Sequence, residues 1–154
     1  MIDFKAICDA LAARYAAGTI TTPTGALAMR KSYGQLPKNI PAVPAVVIDV
    51  QDGEVTANPG QWKHEMHLDV VFLLSKRPGD TARVDAQRQI WLPTLLAATQ
   101  GQMKLTLGGA TGYSVDKAIP FGWEFTEFPF GGDEYDAILI HFTVYVTENV
   151  TLTP

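Results

Sequence analysis

Residues 135–148 read YDAILIHFTVYVTE, and their alternation decides the fold. Ile138, Ile140, Phe142, Val144 and Val146 fall on one face, whereas Ala137, Leu139, His141, Thr143, Tyr145 and Thr147 fall on the other. Period two over so long a run, rich in β-branched and aromatic types, is the signature of a strand. One face is wholly apolar and the other mixed, which suits a long antiparallel strand near the centre of a sheet. Residues 64–75, HEMHLDVVFLLS, repeat the pattern. Met66, Leu68, Val70, Phe72 and Leu74 share one face; Glu65, His67 and Asp69 begin the other, which turns apolar at Val71 and Leu73. Two such strands, paired, present one apolar surface that helices must cover.

Two stretches supply the helices. Over residues 3–17, Phe4, Ile7, Cys8, Leu11 and Tyr15 recur at three- and four-residue spacing, with Asp3 as N-cap and Gly18 as the stop. Over residues 81–99, Val84, Arg88, Trp91, Leu92, Leu95 and Leu96 follow helical spacing, and Pro93 should kink or divide the run. Between the first helix and the sheet, residues 19–45 hold four prolines and two glycines and read as irregular chain with a short strand around Ala26–Lys31. A short apolar strand, Ala45–Val50, follows. Residues 51–63, QDGEVTANPGQWK, carry turn signals at Asp52-Gly53 and Asn58-Pro59-Gly60 and read as a projecting loop or hairpin. Later come an extended segment at Lys104–Leu107, a glycine-rich turn to Gly112, a strand over Ser114–Glu127 broken at Pro120-Phe121-Gly122, and a loop over Phe128–Asp133. The expected architecture is a single α+β domain over residues 1–154. It has a mostly antiparallel sheet with two principal helices on one face, in the order α-β-β-α-β-β.

Composition narrows the function. The chain has 154 residues, 47% hydrophobic and 18% charged, which suits a globular domain with a real core. A net charge of −4 argues against binding nucleic acid through phosphate neutralisation. The single cysteine, Cys8, excludes an intrachain disulfide and a cysteine-based zinc site and suits a reducing compartment. Asp3 and Asp9 interrupt the N-terminal apolar run, so it does not read as a signal peptide, and no apolar run reaches the length of a membrane span.

The strand face Glu65, His67, Asp69 is the best candidate for chemistry, because an acid–His–acid row suits metal binding or proton transfer. A solvated outer face of a half-buried strand has the same composition. His64 points away from His67, so the two do not form a ligand pair; His141, alone on its mixed face, reads as structural. The glycine run at 107–112 lacks the Lys-Ser/Thr of a phosphate loop, and no Gly-x-Ser-x-Gly elbow occurs. Asp133, Glu134 and Asp136 read as a solvated acidic turn. No catalytic constellation stands out, so no enzymatic activity, cofactor or metal is expected. The long loop ending in Trp62 instead points to contacts with a partner, with Asp52, Glu54, Asn58 and Trp62 as its interface residues.

The order of landmarks resembles the tail terminator (tail completion) proteins of long-tailed phages. The landmarks are the N-terminal helix, the proline-rich passage into Pro44–Ile48, and the strand Met66–Leu74. Next come Ser75-Lys76-Arg77-Pro78-Gly79-Asp80, the helix Ala82–Leu96, the turn Leu107-Gly108-Gly109 and the last strand Ala137–Val146. The resemblance spans nearly the whole chain and rests on order and length; the aromatic, proline-containing segment Phe121–Phe130 departs from it. It implies a virion protein assembled in the host cytoplasm. Such a protein forms a homo-oligomeric ring of six that caps the tail tube, stops its polymerisation and joins it to the head–tail connector. Its partners are its own copies, the major tail tube protein and the connector; DNA only passes through the lumen, and no membrane is involved. Head–tail connector and tail-tube proteins share this size and assembly logic. A small enzyme or ligand-binding domain using Glu65, His67 and Asp69 is the competing class.

Overall fold

The computed structural model describes residues 1–16, 29–77, 81–100 and 112–151. Its elements are α1 (Phe4–Ala13), β1 (Lys31–Tyr33), β2 (Ala45–Asn58), β3 (Gln61–Lys76), α2 (Thr81–Gln100), β4 (Tyr113–Phe130) and β5 (Asp133–Asn149). The strands form one five-stranded sheet in the order β1-β2-β3-β5-β4. β1 pairs parallel with β2, and every other neighbouring pair is antiparallel.

Two helices are present among the described residues and three of the four strand pairings are antiparallel, but the expected α-β-β-α-β-β layout is corrected. The sheet is mixed and dominates the chain, and the order is α-β-β-β-α-β-β. β1 has three residues, too few to show a period. Three stretches that read as loops or breaks are strand. Residues 51–58 extend β2, residues 61–63 begin β3, and the run through Pro120 and Pro129 is one strand ending in a tight turn. Both prolines lie on β4, a sheet edge, where a missing N–H need not break a ladder. The turn into β5 has Gly131 and Gly132 at φ 60° and 84°, the backbone that a two-residue hairpin turn of the right twist requires.

The sheet is covered on both faces at one end. Even-numbered residues of β3 and β5, among them Leu68, Val70, Phe72, Ile138, Ile140, Phe142 and Val144, form the main core with Ile7 and Leu11 of α1 and Trp91 and Leu95 of α2. Asp3 caps α1 by accepting from the Ala6 amide at 2.9 Å. Phe4, expected in this core, is half exposed; it sits at the first turn of α1 with its ring 6.3 Å from that of His64 on β3. Helix α1 closes at Ala13, yet Tyr15 just beyond it is buried. Its ring meets Phe72 edge-on at 5.0 Å, and its hydroxyl lies 2.6 Å from that of Thr99 at the far end of α2. Pro93 lies inside α2 without dividing it; one helical N–H bond is forgone. On the opposite face Val47, Val71, Leu73, Tyr135, Ala137 and Leu139 form a second, smaller core, covered by Tyr33, Ile40 and Val43. The proline-rich passage is therefore the lid of a second core. The stop at Gly18, residues 26–28 of the short strand, and residues 104–111 with most of the glycine-rich turn lie outside the described residues.

Candidate functional site

The row Glu65, His67, Asp69 lies on the face opposite the helices, and its members find separate partners across the strands. His67 Nδ1 lies 2.7 Å from Asp52 Oδ1 of β2. Asp69 Oδ1 lies 2.5 Å from His141 Nδ1 of β5. Glu65 stands in register between Glu54 and Tyr145. On the other face His64 Nε2 meets Glu148 Oε2 at 3.0 Å. All three histidines of the chain are thus tied to a carboxylate across a strand boundary of β3, including His141, which had read as solitary. Each pair welds two strands. Among the described residues no three His, Cys, Asp or Glu side chains converge as a metal site would require. Asp49, in register with Asp69, has its carboxyl pushed up by burial, with the neighbouring Asp69 charge acting the same way and the Gln51 amide opposing it. Asp49, Asp69 and His141 therefore make a half-buried polar strip, held by hydrogen bonds and capped by the Phe121 ring stacked on His141 at 5.7 Å.

Beyond this strip β2 and β3 continue as a hairpin arm, from Asp52↔His67 out to Asn58↔Gln61. The arm contains all four expected interface residues. Asp52 is taken by His67, Glu54 faces Glu65, and Asn58 sits at the tip. Trp62 stands on the helix-bearing side, in register with Ala57, its ring 6.4 Å from that of His64. Asp52-Gly53, read as a turn, is instead a strand position beside a bulge at Val50/Asp52. A Cβ on Gly53 would come within 2.7 Å of the Glu65 carbonyl oxygen, so this close approach, not a reversal of the chain, explains the glycine. On the helix-bearing side the arm and α1 enclose a mostly apolar groove of about 350 Å³, walled by Phe4, Val50, Val55, Trp62, His64 and Met66. On the other side a polar groove sets Glu54, Glu65 and Asp116 against Lys63 and Lys117; the Lys117 ammonium lies 4.6 Å over the Tyr145 ring.

A second exposed apolar surface lies on β4, within the Phe121–Phe130 segment that departs from the family resemblance. On β4, Phe121, Trp123 and Phe125 are 66%, 50% and 41% exposed. Trp123 and Phe125 stand in register with Ile140 and Ile138 and so extend the core face to the sheet edge. Their rings meet at 5.4 Å, and the Arg88 guanidinium lies 5.5 Å from the centre of the Phe125 ring. A bulge between Pro120 and Gly122 turns Phe121 toward His141. The signal was present in the sequence as alternating aromatics, but the prolines and Gly122 masked the period. No protein-family model matches the chain, and no curated protein matches it.

Proposed function

We propose that this chain is a structural assembly subunit that closes into a ring, of the tail terminator type, with no chemistry of its own. The observation that carries this reading is the presence of two exposed apolar surfaces, the arm groove and the β4 aromatic edge, toward opposite edges of one sheet and on the same face. Contiguous exposed apolar surface marks interaction sites, and two different sticky surfaces on one subunit suit a heterologous, ring-closing contact. The histidine–carboxylate pairs support it by serving as cross-strand ties that stiffen the platform. In this role a ring of six caps the tail tube, ends its growth and receives the head connector, and DNA passes through a bore that an acidic protein does not grip.

Electron microscopy of the purified protein, alone and with tail tubes, tests the reading. Rings of six that dock on tube ends and stop further growth are the expected result. Protein that leaves tube length and tube ends unchanged overturns it.

A further inference from the structure

We infer that the partner of the arm groove is the β4 edge of a second copy of this chain, so that neighbouring subunits continue one antiparallel sheet head to tail. The inference rests on the ring-assembly reading and specifies its contact.

Three observations converge. First, both sides of the sheet offer open ladders. β1 covers only Ala45–Val47 of β2, which leaves Ile48–Asn58 without a neighbour on that side among the described residues. β4 likewise has no outer neighbour among them, and Pro120 and Pro129 bracket the eight residues from Phe121 to Phe128 that retain every N–H. Unpaired edges of this length recruit another strand unless something blocks them.

Second, the strand directions fit. β2 runs antiparallel to β3, β3 to β5, and β5 to β4, so β2 and β4 run in opposite directions. A copy placed beside the first with the same face and the same orientation brings its β4 antiparallel against β2. That operation is a rotation repeated around a ring and needs no two-fold axis. Bringing the aromatic window beside the free half of β2 takes a stagger along the strands, which a tilted sheet closing on itself demands anyway.

Third, the exposed apolar residues lie on the same face at both edges. Trp123 and Phe125 of one copy arrive on the helix-bearing side, where Val50, Val55, Trp62 and Phe4 wall the groove. Aromatic side chains bury roughly 150–250 Å² each. At 50% and 41% exposed, Trp123 and Phe125 bring roughly 200 Å² to the contact, and the shared ladder of the two edges carries the rest.

The test uses the full-length chain with one substitution on each surface, Trp123→Lys on the β4 edge and Val55→Lys in the groove; Phe125→Ser and Trp62→Ser are the second variant at each surface. All four residues are exposed, and circular dichroism checks folding. Each variant alone should sediment as a monomer at concentrations about 100-fold above those at which the unaltered chain forms rings. Mixed, Trp123→Lys and Val55→Lys should give a 1:1 dimer and nothing larger, because only one competent surface of each remains. If either folded variant still forms rings or dimers by itself, or if the mixture stays monomeric, the inference is wrong. Self-association of Val55→Lys alone would mean that β4 pairs with β4 across a two-fold axis. Rings that obey this mixing rule yet leave tail tubes uncapped would sink the tail-terminator reading and leave the contact standing.

Discussion

The Arg88 guanidinium of α2 lies 3.4 Å from the Asp136 carboxylate of β5, and Asp136 is only 3% exposed. Arg77, at the end of β3, reaches the same carboxylate at 3.3 Å, and the Ser75 hydroxyl donates to it at 3.3 Å. Arg77 also pairs with Glu127 of β4, so one buried acid joins a helix and three strands. The Asp133-Glu134-Asp136 cluster had read as a solvated turn. Strand alternation, together with the bulge at Leu73/Ser75, instead places Asp136 under α2. Asp136→Ala leaves two arginines without their shared counter-charge and is expected to cost about 3–5 kcal/mol in urea unfolding. Asp136→Asn, which keeps the shape and an acceptor, should fall between it and the unaltered chain. A loss below about 1 kcal/mol would show that water replaces the carboxylate easily.

Phe142 lies fully buried at the centre of the main core, in register with Leu68. Phe142→Ala is expected to cost about 3–5 kcal/mol, as large-to-small changes in a closed core do. Denaturant unfolding measures it; a loss under about 1 kcal/mol would place the stabilising core elsewhere.

Cys8 and Tyr15 set an alkaline limit. Burial pushes the Cys8 thiol up from 9.0 to about 11, with Asp9 acting the same way and Lys5 against it. Burial also raises Tyr15, against the opposing hydrogen bond with Thr99 and the Arg14 charge. Both groups bind their proton more tightly when folded. The Cys8 contribution is therefore complete below about pH 9 and is lost as pH rises toward 11, and that of Tyr15 is complete below its ordinary value of 10.0 and is lost only above it. Cys8→Ala should flatten the fall in Tm between pH 9 and 11 without altering its slope below pH 8. Superimposable profiles for the two proteins would remove Cys8 from the account.

Gly53 is where the arm meets the platform. Gly53→Val forces a side chain onto the Glu65 carbonyl and is expected to cost about 1–3 kcal/mol. The damage should be local, with faster amide exchange over residues 51–66 and unchanged protection at Val70–Phe72 and Ile138–Phe142. Equal loosening at both places would mean that arm and platform unfold as one unit.

The long central strands were legible because period two survives over many residues, and at residues 138–146 nothing interrupts it. The arm and β4 were not, because their turn-like residues act differently in place. Gly53 admits a carbonyl, Pro120 and Pro129 sit on an edge, and Gly122 follows a bulge. The short strand expected around Ala26–Lys31 forms at Lys31–Tyr33, since a parallel edge strand of three residues is placed by the β2 it joins. The pairing of His141 with Asp69 needed the register, for the two lie 72 residues apart. The same holds for the arm groove, whose walls come from α1, β2 and β3 and meet only in three dimensions.

The arm itself gives the last prediction. Val55 is in register with His64, so replacing residues 56–63 with a two-residue Asn-Gly turn joins Val55 to His64 without shifting the ladder. The cut removes Asn58 and Trp62. It also removes the β3 partners of Thr147, Glu148 and Asn149, but Glu148 and Thr147 keep theirs on β4, Tyr113 and Ser114. The shortened chain should therefore retain its circular dichroism spectrum and lose only a few degrees of Tm, because every residue of both cores remains. It should nonetheless fail to form rings, since one wall of the groove is gone. Under the proposed tail-capping role, tails assembled with it should then grow beyond their normal length and join heads poorly. Normal-length tails that join heads would show that assembly does not run through the arm.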